Sequence, residues 1–459
     1  MIFCGITREF STKNEQQYDT IGAFWDEMSD KYGLENLRGL GYGWTEDTIR
    51  YAIGLKEGVI DGANCEMELP DEGWVKVNGR TSELSRIYDD IYADGRLDLE
   101  IETFTDNGDC EILYYRKNKQ NKIRLFMAGD ALIHDAVYND ALCEDGTYDL
   151  RPMLQYIKPL ASRCDLAYYN QETILGGTDL GLSTYPRFNS PQETGDAFID
   201  AGFNLVSLAN NHTMDMDEEG VIRSVDYWKK HEDKVVVSGQ WTSSEDRVKD
   251  TGSIHTINGI RYAFLAYTMW TNELETPPGK EYLSNVYSDE KAAEDIARIR
   301  GKADIIIVAM HWGLEYALVV FPEQKRVAKY LSDLGVQLII GSHPHVVQPV
   351  EYINDGKTFV IYSLGNLLSN QEGLDKRTGL MMSVDICKRE DSSGKPVITI
   401  EDPRAELVFN VSSRKGRRGF RLYPYHMLSD EIFPGYRALE DYREIVSSQC
   451  SELRWGLKE

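Results

Sequence analysis

A repeated unit after residue 122 constrains the fold of this 459-residue chain more than any other feature. In each unit a short apolar run ends in a polar cluster, and the runs are IRLFMAG, DLAYY, FNLVSLA, DIIIVAM, VQLIIG and TFVIYS. Two helical patterns between them, SDEKAAEDIARIRG and EQKRVAKYLSDLG, each stop at a glycine, as helices often do. Alternating strands and helices predict a layered α/β domain with largely parallel strands.

Most of the polar clusters hold side chains that can bind a metal ion. Ligand sites of open α/β sheets lie beyond the carboxyl ends of the strands, so we expect the clusters to meet there. A carboxylate shared by two ions and flanked by histidines is the usual build of a two-metal hydrolytic site. Mixed carboxylate, amide and imidazole donors suit Mn, Fe, Zn or Mg, so the sequence predicts one or two divalent ions. The candidate ligands are Asp130, Glu172, Asn211, His311, His343 and His345.

Some of these residues also have an ordinary structural interpretation. Asp130 could cap the next helix, Glu172 could lie at the surface, and His311 could be a packed histidine. His343 and His345 flank a proline directly after an apolar run, where two imidazoles rarely serve packing. Four of the eight histidines fall in three such clusters, which favours one joint metal site.

The chain resembles the CapA (poly-γ-glutamate capsule biosynthesis) family in seven ordered blocks: AGDALIHD, YYNQET, YPRFNSP, GFNLVSLANNHTMD, ADIIIVAMHWGLEY, GVQLIIGSHPHVVQPVE and VIYSLGN. The resemblance implies a calcineurin-like metallophosphoesterase-type layered domain, with a two-layer β core wrapped by helices, over residues 124–430. It also implies a division of the ligands. One ion would be held by Asp130, Glu172 and His345. Glu172 would bridge to a second ion held by Asn211, His311 and His343.

The resemblance further implies a catalytic group. His212 would stand where metallophosphoesterases keep their catalytic histidine, and histidine as a residue type suits a general acid near neutral pH. Asp215 could orient His212, although helix capping explains Asp215 equally well. The D-x-H pair that opens ordinary metallophosphoesterases is absent here, because residue 132 is Leu132, which leaves the first ion with fewer protein ligands.

Four further residues near the clusters are predicted to meet substrate: Arg187, Glu315, Asn170 and Asn366. For Arg187 and Glu315 a structural salt bridge is an equally good interpretation. The substrate would be a small molecule or a polymer.

The first 117 residues resemble a GyrI-like (AraC effector-binding) domain in IGAFWDEM, YGWTEDTIRYAIG, GRTSELSRIYDDIY and the strand patterns LDLEIETF and CEILYYRK. Such a smaller α+β domain implies a small-molecule effector, held by a buried acid and aromatic walls. Glu102 is the acidic candidate, with Trp25, Trp44, Trp74 and also Tyr42 as walls. Glu102 could equally face solvent, and the tryptophans could be core. We expect a linker at residues 118–123 and a helical C-terminal extension at residues 431–459.

The composition of the chain limits its possible partners and its location. A net charge of −25 and a pI near 4.8 argue against nucleic acid as a partner. Neither a secretory signal nor a membrane segment is recognisable, so we expect a cytoplasmic protein. The seven cysteines lack a C-x-x-C pair and predict reduced thiols.

The sequence therefore favours a divalent-metal-dependent hydrolase, phosphoesterase-like or acting on γ-glutamyl or capsule-related substrates, with a fused ligand-binding domain. Two alternatives stay open. The chain could be a non-catalytic capsule or poly-γ-glutamate factor that binds metal and polymer, or it could be a small-molecule sensor.

Overall fold

The computed structural model describes residues 2–13, 16–45, 47–71, 74–92, 97–115, 121–390, 396–413 and 418–457. The chain divides into two compact units, Met1–Asn121 and Lys122–Glu459. Residues 118–120 of the predicted linker lie outside the described residues, and Lys122 already begins a strand of the second unit. Residues 458 and 459 of the predicted C-terminal extension also lie outside them.

The first unit is a seven-stranded antiparallel sheet with two helices. Its strands are β1 (Ile2–Ser11), β2 (Leu37–Tyr42), β3 (Thr48–Leu55), β4 (Cys65–Glu68), β5 (Val75–Arg80), β6 (Leu99–Phe104) and β7 (Asp109–Tyr115). Their order across the sheet is β4-β1-β3-β2-β6-β7-β5. The helices are α1 (Gln16–Tyr32) and α2 (Leu84–Tyr92).

The two faces of this sheet carry different side chains. Phe24 and Met28 of α1 pack with Leu37 on the helix-covered face. The opposite face holds Leu40 and Ile101 in a separate cluster. Successive strand residues point to opposite faces, so the neighbours of Leu40 and Ile101 along β2 and β6 belong to the helix-covered face.

The second unit has more strands than helices. Its strands are β8 (Lys122–Leu132), β9 (Leu166–Gln171), β10 (Leu205–Ser207), β11 (Val236–Ser238), β12 (His255–Ile257), β13 (Ile260–Thr268), β14 (Ile305–His311), β15 (Leu338–Ser342), β16 (Val350–Ile353), β17 (Thr358–Ile361), β18 (Asn366–Ser369), β19 (Thr378–Glu390), β20 (Pro396–Val411), β21 (Arg421–Pro424) and β22 (Arg454–Trp455). Its helices are α3 (Asp135–Asp140), α4 (Arg151–Leu154), α5 (Lys158–Ala161), α6 (Glu193–Asp200), α7 (Asp217–Lys229), α8 (Ser244–Asp250), α9 (Asp289–Ile299), α10 (Pro322–Leu334), α11 (Leu374–Arg377) and α12 (Glu440–Ser447).

These strands form two sheets that share one apolar core. A nine-stranded sheet runs β11-β10-β9-β8-β19-β20-β21, with β18 on β8 and β22 on β20, and a six-stranded sheet runs β12-β13-β14-β15-β17-β16. Leu125 of the first sheet and Ile307 of the second belong to the core between them. The helices cover the outer faces: Phe198 of α6 packs on the first sheet and Val327 of α10 on the second. The mixed α/β prediction is confirmed.

Parallel pairing is concentrated where the polar clusters lie. Strands β8 to β11 pair in parallel, as do β13, β14, β15 and β17. Strands β19 to β21 extend the first sheet in antiparallel fashion. The parallel strands therefore bring their carboxyl ends to one edge in each sheet. Across the described residues no helix is long and apolar enough to cross a bilayer.

Candidate metal centre and ligand cavity

The ends of five strands bring the predicted ligands together. Asp130 lies near the end of β8, and His311 is the last residue of β14. The remaining ligands follow strands: Glu172 directly follows β9, while the loops after β10 and β15 carry the rest, Asn211, His343 and His345. All six side chains are buried. Parallel register explains the meeting, since β14 and β15 pair His311 with Ser342, one residue before His343.

Two ligand groups share Glu172. The first is Asp130, Glu172 and His345, and the second is Glu172, His311 and His343. Within each group the candidate ligand atoms lie within 4.8 Å of one another. Oε1 of Glu172 is 3.6 Å from Nε2 of His311 and 3.6 Å from Nε2 of His345. One carboxylate therefore lies between two sets of donors, as a bridging ligand would.

The surroundings of Glu172 fit a cation. Glu172 is fully buried, and neither of its carboxylate oxygens has a hydrogen-bond partner among the described residues. Burial, followed by the nearby charge of Asp130, raises the pKa of Glu172 well above its ordinary value. A buried carboxylate without a donor is costly, and a divalent ion would remove that cost.

The histidines of the second group face one another at close range. Nδ1 of His343 is 3.1 Å from Nε2 of His311, which also lies 2.8 Å from Oδ1 of Asn211. Burial, and then the neighbouring histidines, lower the pKa of His311 and of His343 well below the ordinary value. Neutral imidazole is the form that binds metals, so this group also fits a divalent cation.

The loop after β15 holds its two histidines in an unusual backbone conformation. His343 has φ of 97° and His345 has φ of 59°, in the region that favours glycine. The backbone N–H of His343 donates to Oδ2 of Asp130 at 3.2 Å, which ties the loop to β8. Nδ1 of His345 lies 3.0 Å from Oδ1 of Asn366. These contacts hold both imidazoles at the same edge as Asp130 and Glu172.

His212 is oriented by a carboxylate. Its Nδ1 lies 2.7 Å from Oδ2 of Asp215, and the Phe188 ring packs edge-on against the imidazole at 4.7 Å between centroids. Asp215 precedes α7 by two residues and the N-cap of that helix is Met216, so Asp215 does not cap it. In the structure Asp215 contacts His212 and the N-cap position belongs to Met216. His212 itself is 6% exposed.

The four predicted substrate contacts fall into two pairs. Asn170 donates to Asp130 at 2.9 Å and Asn366 contacts His345, so both buried amides are used on candidate ligands. Arg187 forms a salt bridge with Asp217 at 2.9 Å and also donates to the backbone carbonyl of Asp215. Glu315, in contrast, is exposed, and one of its oxygens belongs to a group with His343 and His345.

The aromatic candidates of the first unit divide between the two faces of its sheet. A cavity of about 940 Å³ lies under α1 and α2, and Trp25, Trp44 and Glu102 line it. Glu102 is buried, which excludes the solvent-facing alternative. Trp74 and Tyr42 pack on the opposite face, where Trp74 contacts Tyr115 at 5.6 Å between ring centroids. Trp74 and Tyr42 are therefore not cavity walls: the alternation of side chains along β2 places Tyr42 on the other face, and Trp74, directly before β5, packs in the same cluster.

Sequence reasoning missed residues in both units. Glu100, Tyr51 and Tyr88 line the cavity beside Glu102. The spacing of Glu100 and Glu102, two residues apart on one strand, was the available signal for a shared face. At the metal centre, Trp270 packs edge-on against His343 at 4.8 Å between ring centroids, and no pattern in the sequence connects those two residues.

Comparison with known proteins places the family match within the second unit. The family profile described as bacterial capsule synthesis protein PGA_cap matches residues 124–371, which is more than half of the chain. The capsule biosynthesis protein CapA of Bacillus anthracis is 30% identical over 189 residues, covering 40% of this chain and 44% of that protein. The PGA biosynthesis protein CapA of Bacillus subtilis (strain 168) is 30% identical over 187 residues, covering 39% and 46%. The chain thus spans less than half the length of these relatives.

Solved structures give more distant matches. A novel phosphatase from Mycoplasma pneumoniae matches with a TM-score of 0.39 and 15% identity, covering 63% of this chain and 94% of that one. A hypothetical protein from Thermus thermophilus matches with a TM-score of 0.35 and 16% identity, covering 62% and 99%.

Proposed function

Since this chain belongs to the bacterial capsule synthesis protein PGA_cap family, we propose that its second unit is a divalent-metal-dependent hydrolase with a metallophosphoesterase-like site. One or two ions, of Mn, Fe, Zn or Mg, would be held by Asp130, Glu172, Asn211, His311, His343 and His345. The substrate would be a phosphoester or a γ-glutamyl, capsule-related compound. The first unit would be a fused, GyrI-like ligand-binding domain.

The observation that carries the proposal is the position of Glu172 between two donor groups. Asp130 and His345 lie on one side, and His311 and His343 on the other. A divalent ion at such a site supplies Lewis-acid polarisation of the substrate and activation of water. The buried, donor-free carboxylate of Glu172 is otherwise without a structural reason, since nothing among the described residues satisfies it.

The chain's own residues supply positioning and proton transfer. Asp215 accepts a hydrogen bond from Nδ1 of His212, which fixes the ring and leaves Nε2 as the nitrogen that exchanges a proton with substrate. Asn170 orients Asp130, and Asn366 orients His345. Such hydrogen bonds around ligands fix their geometry and tune their basicity.

One observation favours a non-catalytic alternative. Leu132 stands where ordinary metallophosphoesterases have a histidine, and it is buried on β8 two residues after Asp130. A site with fewer ligands could bind metal and polymer without turnover. The relatives' names refer to capsule and PGA biosynthesis, which agrees with either a hydrolytic or a polymer-binding role.

The test is metal analysis of the purified full chain together with a hydrolysis screen. Bis-p-nitrophenyl phosphate, p-nitrophenyl phosphate and γ-glutamyl-p-nitroanilide would serve as probes. His343→Ala should remove metal and activity together. His212→Ala should keep the metal and lower kcat by about 10²–10⁴-fold. His426→Ala is the matched control, because its half-exposed ring contacts Glu406 rather than any candidate ligand.

Metal without turnover of any probe, and no difference between wild type and His212→Ala, would favour the non-catalytic alternative. Absence of metal from a wild-type protein purified with each of the four ions would overturn the metal site itself.

A further inference from the structure

A third donor group lies on the exposed side of the metal centre. One carboxylate oxygen of Glu315 and one ring nitrogen each of His343 and His345 lie within 4.8 Å of one another. His345 belongs to the first ligand group and His343 to the second, so Glu315 lies beside a member of each. Glu172 is fully buried whereas Glu315 is exposed, so the two carboxylates reach the histidines from different sides.

The loop that carries Glu315, between β14 and α10, is tied to the loop that carries the two histidines. The backbone N–H of Tyr316 donates to the carbonyl of Pro344, the residue between those histidines, at 2.8 Å. The backbone N–H of Trp312 donates to the carbonyl of Ser342 at 3.1 Å. Backbone contacts on both sides of Glu315 therefore hold it beside the histidines.

Two buried glutamines fix the rest of the same loop. Nε2 of Gln348 donates to the carbonyl of Ala317 at 2.8 Å and to the carbonyl of Val319 at 3.0 Å. Gln348 in turn accepts from Nε2 of Gln324 at 2.9 Å. Tyr316 has φ of 65°, a left-handed conformation that residues other than glycine rarely adopt and that is concentrated at functional sites. These contacts fix the course of the loop beside the metal centre.

Two observations favour metal binding by Glu315 over a structural salt bridge. Among the described residues no lysine or arginine forms a salt bridge with Glu315, so the structural interpretation lacks a partner. The first ligand group also has only three protein donors, Asp130, Glu172 and His345, since Leu132 stands where ordinary metallophosphoesterases have a histidine. Zinc takes four or five ligands and magnesium takes six, so an ion there can accept a further oxygen.

We propose that Glu315 is an additional ligand of the metal centre, which binds from the exposed side as Glu172 does from the buried side. The inference rests on the proposed metal-dependent function of the second unit, and it assigns Glu315 to the ions rather than to substrate. Two divalent ions would carry four positive charges, whereas the six candidate ligands include only two carboxylates, Asp130 and Glu172. Glu315 supplies a third negative charge, and the charge of the ligands is one determinant of how tightly such a site binds its ion.

The test is metal binding by the full chain after a chelator has removed bound ions. Glu315→Gln keeps the size of the side chain and removes its charge. It should weaken binding of Mn²⁺ and Zn²⁺ by about tenfold or more in titration calorimetry. It should also change the visible absorption of the Co²⁺-loaded protein, which reports the ligands of the ion.

The matched control is Glu323→Gln. Glu323 is an exposed carboxylate in the first turn of α10, and it belongs to none of the donor groups found among the described residues. This variant removes one negative charge close to the same loop, and it should leave both measurements unchanged. Glu315→Asp keeps the charge but draws the oxygens back by one methylene, so it should change the Co²⁺ absorption while weakening binding less than Glu315→Gln does.

The possible failures are distinguishable. If Glu315→Gln binds metal as tightly as wild type, with the same Co²⁺ absorption, the assignment of Glu315 is wrong while the proposed metal site stands. If affinity falls but the Co²⁺ absorption is unchanged, Glu315 attracts the ions by charge alone and is not a ligand. If wild type binds none of the ions, the proposed metal-dependent function fails, and the assignment of Glu315 fails with it.

Discussion

Oδ2 of Asp215 accepts two hydrogen bonds at once, from Nδ1 of His212 at 2.7 Å and from the backbone N–H of Phe188 at 2.6 Å. The second bond fixes the carboxylate, and the first fixes the imidazole, so the ring cannot turn without breaking a buried contact. Asp215 is fully buried and belongs to neither ligand group. Asp215 therefore positions His212 without belonging to the candidate ligands.

Asp215→Asn should separate positioning from metal binding. An amide can still accept from Phe188, but it no longer stabilises a charged His212 ring. We expect kcat to fall by about 10²-fold with KM and metal content unchanged. Steady-state kinetics and metal analysis on the same preparation check this, and a parallel loss of metal would show that Asp215 acts on the ligands instead.

Glu172→Gln should have opposite effects on the metal-free and metal-loaded protein. Without metal, the variant removes a buried acid that lacks any donor, so its stability should equal or exceed that of wild type by up to about 1–3 kcal/mol. With metal, wild type should gain about 2.7 kcal/mol at a hundredfold excess over Kd, and the variant should gain little. Chemical denaturation with and without chelator measures both. Glu444→Gln, at an exposed carboxylate of α12 that belongs to none of the ligand groups, is the control.

Glu100→Gln should stabilise the first unit at neutral pH. In the unfolded chain a glutamate ionises near pH ~4.3, whereas burial keeps Glu100 protonated in the folded unit to a higher pH. The folded state binds more protons in that window, so stability falls as pH rises, by up to about 1.4 kcal/mol per pH unit for this group. In Glu100→Gln the free energy of unfolding should fall less steeply with pH than in wild type. The pH dependence that remains is due to Glu102, whose pKa is also raised by burial. Urea denaturation between about pH 4 and 8 measures the slopes.

The sequence patterns predicted the candidate site residues that lie at the ends of strands. His311 closes β14, and the loop with His343 and His345 follows β15, because apolar runs of strand length stop there and parallel pairing aligns their ends. The family resemblance to CapA proteins is confirmed by the match over residues 124–371. The sequence singled out Asp215 but did not distinguish between its two possible roles, as a helix cap or as a hydrogen-bond partner of His212.

The features that were not predicted depend on which face a side chain occupies and on contacts between distant segments. The sequence predicts Trp74 as a cavity wall, yet Trp74 lies directly before β5 and packs on the opposite face of the sheet. An aromatic residue in the sequence does not show which face of a sheet its side chain will occupy. The hydrogen bonds of Glu102 come from the hydroxyl groups of Tyr51 and Tyr88, which lie on separate elements that no sequence pattern connects. The GyrI-like likeness and the cytoplasmic location stay predictions.

The positive φ angles of His343 and His345 affect which substitutions at these two positions would stabilise the backbone. Non-glycine residues in this conformation carry a cost of about 1–3 kcal/mol each, and glycine or asparagine adopts it more readily. A single replacement of either histidine by glycine would therefore delete a ligand and relax the backbone together. Selection for stability alone would therefore disfavour histidine at both positions. If the two imidazoles bind metal as proposed, the backbone cost at these positions is the counterpart of that binding.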